Sequence, residues 1–377
     1  MSDIKHPNDK TFSPQEIKER FNKYIDLNTP TLEIEIENLS DVKMKKIDWL
    51  WKDVIANGKI TLFAGEPGVG KSQLLLYIAS IKSKGSKFHF EKNNCEKGKV
   101  LLISGEDDSD DTIVPRLKAL DANIDNIKNV KGIRRLDKNG NLYYDVICLV
   151  EHLAELEKII IEQNYKLIIV DPISMYLGVT DENKNKEIRS ALGIIGSLAQ
   201  RHNISLLLNS HFTKPSGSTS KNAIYRVMGS VGFAAAARIV YGVMKDPEDE
   251  SRRLFVPIKN NIGQDKTGFV YKMKPVIVQD NQDSVETCRI DWLDEKIDKS
   301  ANEILNTNTT TKSPKLEEVK DFLLETLKNG SVSLSEIRQQ AIERGFSIDR
   351  LYTAKKELNI YENSSIGGKR GKIWMLA

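Results

Sequence analysis

The sequence predicts an α/β fold in which a mostly parallel, twisted sheet is flanked by helices, followed by a small α/β module at the C-terminus. Three observations lead to this prediction. Between Ile47 and about Leu293, apolar strands alternate with helical stretches, which is the βαβ rhythm of a parallel sheet. A glycine-rich stretch at residues 65–72 joins an apolar strand to a helix. Beyond residue 314, three short helical patterns precede a pair of strands.

Residues 1–45 are polar and charged, and they are predicted to form an N-terminal arm with one short helix from Ser13 to Tyr24. The first residues, MSDIKHPNDKTF, contain no apolar signal-peptide core, and no run of about eighteen apolar residues occurs in the chain. We therefore expect a cytoplasmic protein with no membrane partner.

The composition is that of a globular protein with nearly balanced charge. The chain has 377 residues, with 56 Lys and Arg against 53 Asp and Glu, a formal net charge of +3. No global field indicates a nucleic-acid partner, so any basic surface must be local. Cys95, Cys148 and Cys288 lie far apart in the sequence, which argues against a disulfide framework and against a zinc site.

The first strand and helix of the α/β region enclose GEPGVGKS at residues 65–72. Lys59–Ala64 is a β-rich run, and Gln73–Ser83 repeats apolar residues at helical spacing. A Gly, four residues, then Gly-Lys-Ser in this context is a phosphate-binding loop rather than a chance glycine turn. The predicted nucleotide-binding residues are Gly65, Glu66, Pro67, Gly68, Val69, Gly70, Lys71, Ser72 and Gln73.

The chemistry of this loop predicts ATP with Mg²⁺ as the ligand. Glycines at positions 65, 68 and 70 allow backbone N–H groups to turn inward on one anion, and the following helix adds its positive N-terminus. Lys71 is expected to reach the β- and γ-phosphates, and the Ser72 hydroxyl to hold Mg²⁺.

Two acids follow later strands. Asp171 ends the apolar run YKLIIV, where parallel sheets place ligand groups, and it is predicted to help position Mg²⁺. The next residue is Pro172, so a different acid must activate the attacking water. Glu106, in VLLISGEDD just after another strand, is the best candidate for this base.

Five stretches resemble, in this order, the RecA-like ATPase domain of plasmid and phage proteins of the RepA helicase type. They are IDWLWKDVIANGKITLFAGEPGVGKS, VLLISGEDD, LIIVDPISMYLG, NISLLLNSHFTK and YRVMGSVGFAAAARIVYGV, and the resemblance covers roughly Ile47–Gly263. It implies catalytic roles for Lys71, Glu106, Asp171 and a γ-phosphate sensor at His211. The family commonly has two adjacent histidines here, whereas this chain has Ser210 and His211.

The resemblance also implies a homo-oligomer, a hexameric ring in which a neighbouring subunit supplies a cation to each site. Arg238, after the Ala-rich stretch FAAAA, is the leading arginine finger, and Arg226 is a second candidate. Lys259 is a candidate piston lysine, although the arginine often found two residues later is Asn261 here. A solvated or salt-bridged surface position is the alternative for each cation.

Two loops are candidates for contacting single-stranded DNA. FTKPSGSTSKNA, residues 212–223, carries Lys214 and Lys221, and VTDENKNKEIR, residues 179–189, follows Asp171. Loops after these strands line the channel in RecA-like helicases. Neither contains interleaved aromatics, so we expect phosphate contacts with little sequence preference, or mobile surface loops without a partner.

The predicted domains are residues 1–45, the ATPase domain at 46–293, a linker at 294–314 and a C-terminal module at 315–377. In the module, Leu316–Lys328, Leu334–Arg344 and Ile348–Glu357 read as helices, and Ile360–Asn363 and Lys372–Leu376 as strands. This order favours either a winged helix or a plain helical cap. In a winged helix, the wing residues Lys369, Arg370 and Lys372 could contact duplex DNA, while docking of a replication protein stays open.

Together these patterns favour an ATP-hydrolysing oligomeric motor on single-stranded DNA, a RepA-like replicative helicase of a mobile element. One alternative is a DNA-bound ATPase switch or recombination mediator that does not separate strands. Another is a DNA- or partner-binding protein whose assembly is controlled by nucleotide. A small-molecule kinase, which would also carry a phosphate loop, is the least favoured interpretation.

Overall fold

A computed structural model describes residues 36–178, 185–212, 223–227, 231–264, 268–280, 283–297, 299–310, 314–344, 346, 348–364 and 372–376. The chain divides into two units, residues 1–46 and 47–377. Within the first unit, Leu39–Asp41 form a short 3₁₀ turn. The helix predicted at Ser13–Tyr24 lies outside the described residues.

A nine-stranded sheet forms the centre of the second unit. Six neighbouring strands are parallel: in spatial order they are β10 (Ile239–Lys245), β3 (Ile60–Gly65), β9 (Ser205–His211), β8 (Tyr165–Asp171), β4 (Lys99–Ser104) and β5 (Ile127–Asn129). Three antiparallel strands extend the sheet beyond β10: β11 (Arg252–Asn260), β12 (Gly268–Asp280) and β13 (Asp283–Ile297). The predicted α/β fold with a mostly parallel sheet is confirmed.

Helices cover both faces of the sheet, which is why the parallel strands are almost continuously apolar. The helices of this domain are α1 (Lys71–Lys84), α2 (Val114–Ala119), α3 (Leu153–Gln163), α4 (Ile173–Tyr176), α5 (Asn185–Arg201), α6 (Ala223–Arg226), α7 (Val231–Ala236) and α8 (Ala301–Thr310). Apolar residues of α1 and α2 pack on one face, and those of α3, α5 and α8 on the other. Among the residues that the structure describes, no helix is long and apolar enough to span a bilayer.

Two small antiparallel pairs lie outside the main sheet: β1 (Trp49–Trp51) with β2 (Ile55–Ala56), and β6 (Ile133–Leu136) with β7 (Leu142–Asp145). Trp51 of β1 is 1% exposed and stacks on Phe88 with ring centroids 4.8 Å apart. Its ring also contacts Phe255 and Phe269 of the antiparallel strands. This aromatic cluster fixes the antiparallel half of the sheet to the layer that contains α1.

Most residues of the predicted linker at 294–314 belong to regular elements. Strand β13 continues to Ile297, and α8 follows with Ala301 and Ile304 buried in the main core. A capping box starts this helix, because the Ser300 N–H donates to Glu303 Oε2 (2.6 Å) while the Glu303 N–H donates to Ser300 Oγ (3.3 Å). The two buried residues and the capping box stabilise this helix against the core, although its sequence shows little apolar periodicity.

The C-terminal module has its own apolar core around the fully buried Trp374. Its elements are α9 (Pro314–Leu327), β14 (Val332–Ser333), α10 (Leu334–Glu343), α11 (Ile348–Glu357), β15 (Tyr361–Ser364) and β16 (Lys372–Met375). The strands form an antiparallel sheet in the order β14-β16-β15. A short strand lies between the first two helices, and a pair of strands ends the module. This is the element order of a winged helix, whereas a plain helical cap would have no sheet.

Candidate nucleotide site

The candidate site is a cleft of about 310 Å³ at the carboxyl ends of the parallel strands. The register explains why the predicted residues meet there, since Gly65 of β3 lies opposite His211 of β9 and Ser104 of β4 lies opposite Asp171 of β8. Such a crevice is where open α/β sheets bind ligands. Its lining includes the phosphate loop with Lys71, Ser72 and Gln73, and also Glu106, Asp107, Asn209 and His211.

The phosphate loop has the backbone that its glycines allow. A Cβ on Gly65 would collide with the carbonyl oxygen of Val243 on the adjacent strand β10. Gly70 has φ +95° and immediately precedes α1, so the first N–H groups of that helix face the cleft opening. The Phe212 N–H donates to the Gly65 carbonyl (3.0 Å), which joins the end of β9 to the loop.

Lys71 lies folded over its own loop. Its Nζ donates to the carbonyl oxygens of Gly65 (3.1 Å) and Glu66 (2.8 Å), and lies 3.3 Å from Nδ1 of His211. Burial lowers the pKa of Lys71 to about 8, although the carboxylates of Asp171, Glu106 and Glu66 oppose that shift. A desolvated ammonium held by carbonyl oxygens is poised to exchange them for phosphate oxygens, which carry full charge.

Asp171 is buried at the end of β8 and is held by two side chains. Asn209 of β9 and the Ser72 hydroxyl donate hydrogen bonds to its carboxyl group. Burial raises the pKa of Asp171, while these bonds and the nearby Lys71 act in the opposite direction.

The oxygens of Ser72 and Asp171 fit Mg²⁺, which takes one or two protein oxygens and completes its shell with water and phosphate. No group of three or more His, Cys, Asp or Glu that could hold a metal occurs among the described residues. Two oxygen donors suit a metal whose remaining ligands come from water and a triphosphate.

Glu106 lies just past the end of β4 and borders the same cleft. Its charge is close enough to raise the pKa of both Lys71 and the Tyr176 hydroxyl, although burial contributes the largest shift at each of them. Beside it, Asp107 is fixed by an ion pair with Arg116 of α2 (2.7 Å). Two adjacent acids thus face the cleft in different settings, one paired with arginine and one exposed.

The antiparallel strands supply a wall that sequence reasoning missed. The Gln73 side-chain amide donates to the Cys288 carbonyl of β13 (2.8 Å), and Met273 of β12 lies beside Gly70. Sequence reasoning assigned Gln73 to the nucleotide but had no signal for a partner 215 positions away. Asn209 was also missed, although a polar residue inside the buried strand SLLLNSH was a usable signal.

Arg226 lies beside the phosphate loop of its own chain. Its Nη2 donates to Glu66 Oε1 (3.2 Å), and its guanidinium carbon lies 5.2 Å from the centre of the Phe212 ring. The side chain of Arg226 is only 10% exposed, whereas that of Glu66 is 64% exposed. This position differs from the expectation that Arg226 extends toward a neighbouring subunit.

Arg238 lies at the opposite edge of the sheet. It directly precedes β10, whose first residue, Ile239, pairs with Thr61 near the start of β3. It is exposed and borders a groove of about 570 Å³ together with Lys59 and Arg189. An exposed arginine here is available to another molecule but not to its own phosphate loop.

Lys259 does not extend into solvent. Its Nζ donates to the carbonyl oxygens of Ala234 (2.7 Å) and Ala237 (2.8 Å), at the end of α7. Burial and the nearby Arg238 lower the pKa of Lys259. Lys259 therefore caps the segment that presents Arg238, and its predicted piston role stays a prediction.

Four of the five predicted DNA-binding residues, Lys214, Lys221, Lys369 and Arg370, lie outside the described residues. The fifth, Lys372, forms an ion pair with Glu362 (2.5 Å), which also holds Lys355 (2.6 Å). An internal partner reduces the charge that Lys372 can offer to DNA.

The fold and the site together define a RecA-like ATPase domain, as predicted. Residues 29–217 match the AAA domain family, and because this is half of the chain, the protein belongs to that family.

Relatives among curated proteins are named for DNA repair. The DNA repair protein RadA of Campylobacter jejuni is 28% identical over 48% of this chain and 35% of RadA. The DNA repair and recombination protein RadB of Methanobrevibacter smithii is 21% identical over 49% of this chain and 73% of RadB. The chain spans well under half the length of the RadA relatives. Among solved structures, one ATPase domain aligns with a TM-score of 0.42 and 12% identity, over 59% of this chain and 82% of that one.

Proposed function

We propose that the protein hydrolyses ATP as an oligomeric motor on single-stranded DNA, in the manner of a RepA-like replicative helicase. The observation that carries this proposal is that Lys71, His211 and Glu106 border one cleft at neighbouring strand ends, with Asp171 at the end of β8 bonded to Ser72 of the same cleft. A phosphate loop alone would support nucleotide binding. The additional acid supplies the water-activating group that hydrolysis needs, and the histidine supplies a group that can respond to the terminal phosphate.

Loop N–H groups and Lys71 bind the phosphates, and Glu106 accepts a proton from the attacking water. His211, which contacts Lys71 Nζ, responds to loss of the terminal phosphate at the point where β9 leads into residues 213–222. Ser72 and Asp171 would hold Mg²⁺, which supplies charge neutralisation at the phosphate oxygens when bound.

Arg226 and Arg238 have different proposed roles. Arg226 acts within its own subunit, because it contacts Glu66 and Phe212 and so links the phosphate loop to the end of β9. Arg238 acts on the neighbouring subunit, because it is exposed at the edge of the sheet that is remote from its own loop. In a ring of identical subunits, each site would combine Lys71 of one copy with Arg238 of the next.

Mixed oligomers test this assignment. Arg238→Ala and Lys71→Ala proteins are each expected to be inactive, but an equimolar mixture should recover ATPase activity, because about a quarter of randomly formed interfaces combine an intact lysine with an intact arginine. A mixture of Arg226→Ala with Lys71→Ala should recover nothing, since both defects then lie in the same half-site. If ATPase activity returned in the mixture of Arg226→Ala with Lys71→Ala but not in that of Arg238→Ala with Lys71→Ala, the roles of the two arginines would be reversed.

The similarity to RadA and RadB favours one alternative, a DNA-bound ATPase switch or recombination mediator that does not separate strands. A forked-duplex assay distinguishes the two, since only the helicase releases the displaced strand in an ATP-dependent reaction. If Lys71→Ala protein still performs the biological task, nucleotide only controls assembly and both motor proposals fail.

The broader test measures the ATPase rate with and without single-stranded DNA, on protein whose assembly is determined by mass photometry. We expect stimulation by DNA and a rate per subunit that rises with assembly. A rate independent of both DNA and concentration would contradict the motor.

A further inference from the structure

Strands β6 and β7 form an antiparallel hairpin that follows the edge strand β5 in the chain, and its two faces have different surroundings. Its register pairs Arg134 with Tyr144 and Leu136 with Leu142. Because side chains alternate along a strand, these four residues share one face of the hairpin, which we call the outer face. The other face carries Ile133, Arg135, Tyr143 and Asp145.

The second face anchors the hairpin to the domain. Ile133 packs against the main core, and Arg135 Nη2 lies 2.9 Å from Nε2 of the buried His152. Arg135 Nε also lies 3.5 Å from Asp145 Oδ2 across the hairpin. With this face held, the outer face is left in solvent, where Tyr144 is 64% exposed and Leu136 69% exposed.

The outer face carries a cation, Arg134, beside the ring of Tyr144, and Lys138 is exposed in the turn that joins the two strands. Residues 128–146 contain five Lys or Arg and only two Asp, but Lys128 belongs to β5 and Arg135 to the anchored face, so the cations of the outer face and its turn are Arg134 and Lys138. Arg134 and Lys138 form no ion pair with any residue that the structure describes. Asp137 accepts the N–H groups of Asn139 and Asn141 (both 2.8 Å), so its carboxylate is occupied by the turn.

The hairpin lies on the side of the domain where DNA is expected. It leaves the sheet at the carboxyl end of β5, the same edge as the nucleotide cleft. After β7, the Leu149 N–H donates to the Tyr176 carbonyl (2.8 Å), so this segment runs beside α4. The chain continues from α4 into residues 179–189, one of the two stretches predicted to contact DNA.

We propose that the outer face of the hairpin binds single-stranded DNA, with Tyr144 stacking on a base and with Arg134 and Lys138 contacting phosphates. This inference rests on the proposed function. Exposed rings beside exposed cations are what single-strand-binding surfaces use. Here Arg134 lies directly across from Tyr144, so a cation and a ring are side by side on the exposed face.

The test uses the full chain and a fluorescein-labelled oligothymidine, with affinity measured by anisotropy at several salt concentrations. Tyr144→Ala should weaken binding about tenfold, because it removes one stacked base, and should leave the salt dependence unchanged. Arg134→Gln should lower the slope of log K against log salt by about 0.7, the loss of one phosphate contact. Tyr144→Phe should bind like the unmodified protein, since stacking requires only the ring.

Tyr143→Ala is the matched control, since Tyr143 is 45% exposed on the same strand but belongs to the anchored face. It should bind DNA within about twofold of the unmodified protein, and the DNA-free ATPase rate should be unchanged in every variant. If the unmodified protein binds oligothymidine and Tyr144→Ala and Arg134→Gln bind equally well, the inference fails and the proposed function stands. If the unmodified protein does not bind, both fail.

A change in oligomer size in Tyr144→Ala at unchanged DNA affinity would identify the outer face as a contact between copies, which also overturns the inference.

Discussion

Nucleotide binding should be coupled to proton uptake at Lys71. In the free protein its pKa is lowered to about 8, mainly by burial. A bound triphosphate surrounds the ammonium with negative charge and should restore the pKa to its ordinary value of 10.5 or above. The free site is then about half protonated at pH 8 and about one-tenth protonated at pH 9, so binding should take up about 0.5 and about 0.9 protons, respectively.

Nucleotide affinity should fall at alkaline pH. Only the protonated lysine makes the full contact, so affinity is constant well below pH 8 and falls as the pH rises through 8. At pH 9 the loss should be about tenfold, since each pH unit above the pKa costs about 1.4 kcal/mol. Titration calorimetry with a non-hydrolysable ATP analogue, in two buffers of different ionisation enthalpy, measures the proton count directly.

Lys82 provides a matched control on the same helix. It is buried, its pKa is also lowered by burial, and its Nζ donates to the Glu96 carbonyl (2.8 Å) outside the cleft. Lys82→Met should therefore take up the same number of protons as the unmodified protein. Uptake below about 0.2 protons at pH 9, or uptake that disappears in Lys82→Met, would refute the assignment to Lys71.

Three further predictions concern catalysis and stability. Glu106→Gln should retain ATP affinity but lose about 10²- to 10⁴-fold in turnover if Glu106 is the base, and equal turnover would exclude it. Trp51→Ala should lower the free energy of unfolding by about 3–5 kcal/mol in chemical denaturation, and Trp49→Ala, at a partly exposed ring, should cost less. Hydrogen bonds from Lys355 and Lys372 hold the pKa of Glu362 at about 2, so its stabilising effect is complete above pH 4.5 and lost as the pH falls toward 2. Thermal unfolding of Glu362→Gln should lack this part of the acid dependence, and an unchanged dependence would contradict it.

The sequence was sufficient to predict the residues at the strand ends. Lys71 and Asp171 each follow an apolar strand, and parallel strands necessarily end at one edge, so their meeting requires no knowledge of side-chain packing. Glu106 and His211 follow by the same logic once the strand order is known. The winged helix was one of two predictions for the C-terminal module, beside a plain helical cap. The periodicity of its helices and last two strands was clear in the sequence, but the two-residue strand β14 gave no pattern that could decide between them.

The missed features depend on contacts between distant parts of the chain. The Gln73 bond to Cys288 forms only because β13 folds back along the cleft, and no local pattern encodes that approach. Arg226 was a second candidate for the cation that a neighbouring subunit supplies, and no local pattern indicates its contact with Glu66, 160 positions away in the sequence. The helix α8 was taken for linker because tertiary burial of Ala301 and Ile304, rather than propensity, stabilises it.

The length of the central strand explains why each site would need a second subunit. Strand β3 has six residues and so spans about 20 Å, with the phosphate loop at its carboxyl end and Thr61, the partner of Ile239, near its start. Arg238 precedes Ile239 and is therefore level with the start of β3, and Lys259 fixes the end of α7 beside it by donating to two carbonyl oxygens there. The two arginines therefore lie at opposite edges of one sheet, with Arg226 at its own loop.

If subunits stack with the carboxyl edge of one sheet facing the amino edge of the next, the groove formed by Arg238, Arg189 and Lys59 would face a cleft bordered by Glu106 and Asp107. This stacking would place Arg238 of one subunit at the nucleotide site of the next, which a head-to-tail contact allows and a symmetric contact between like edges does not.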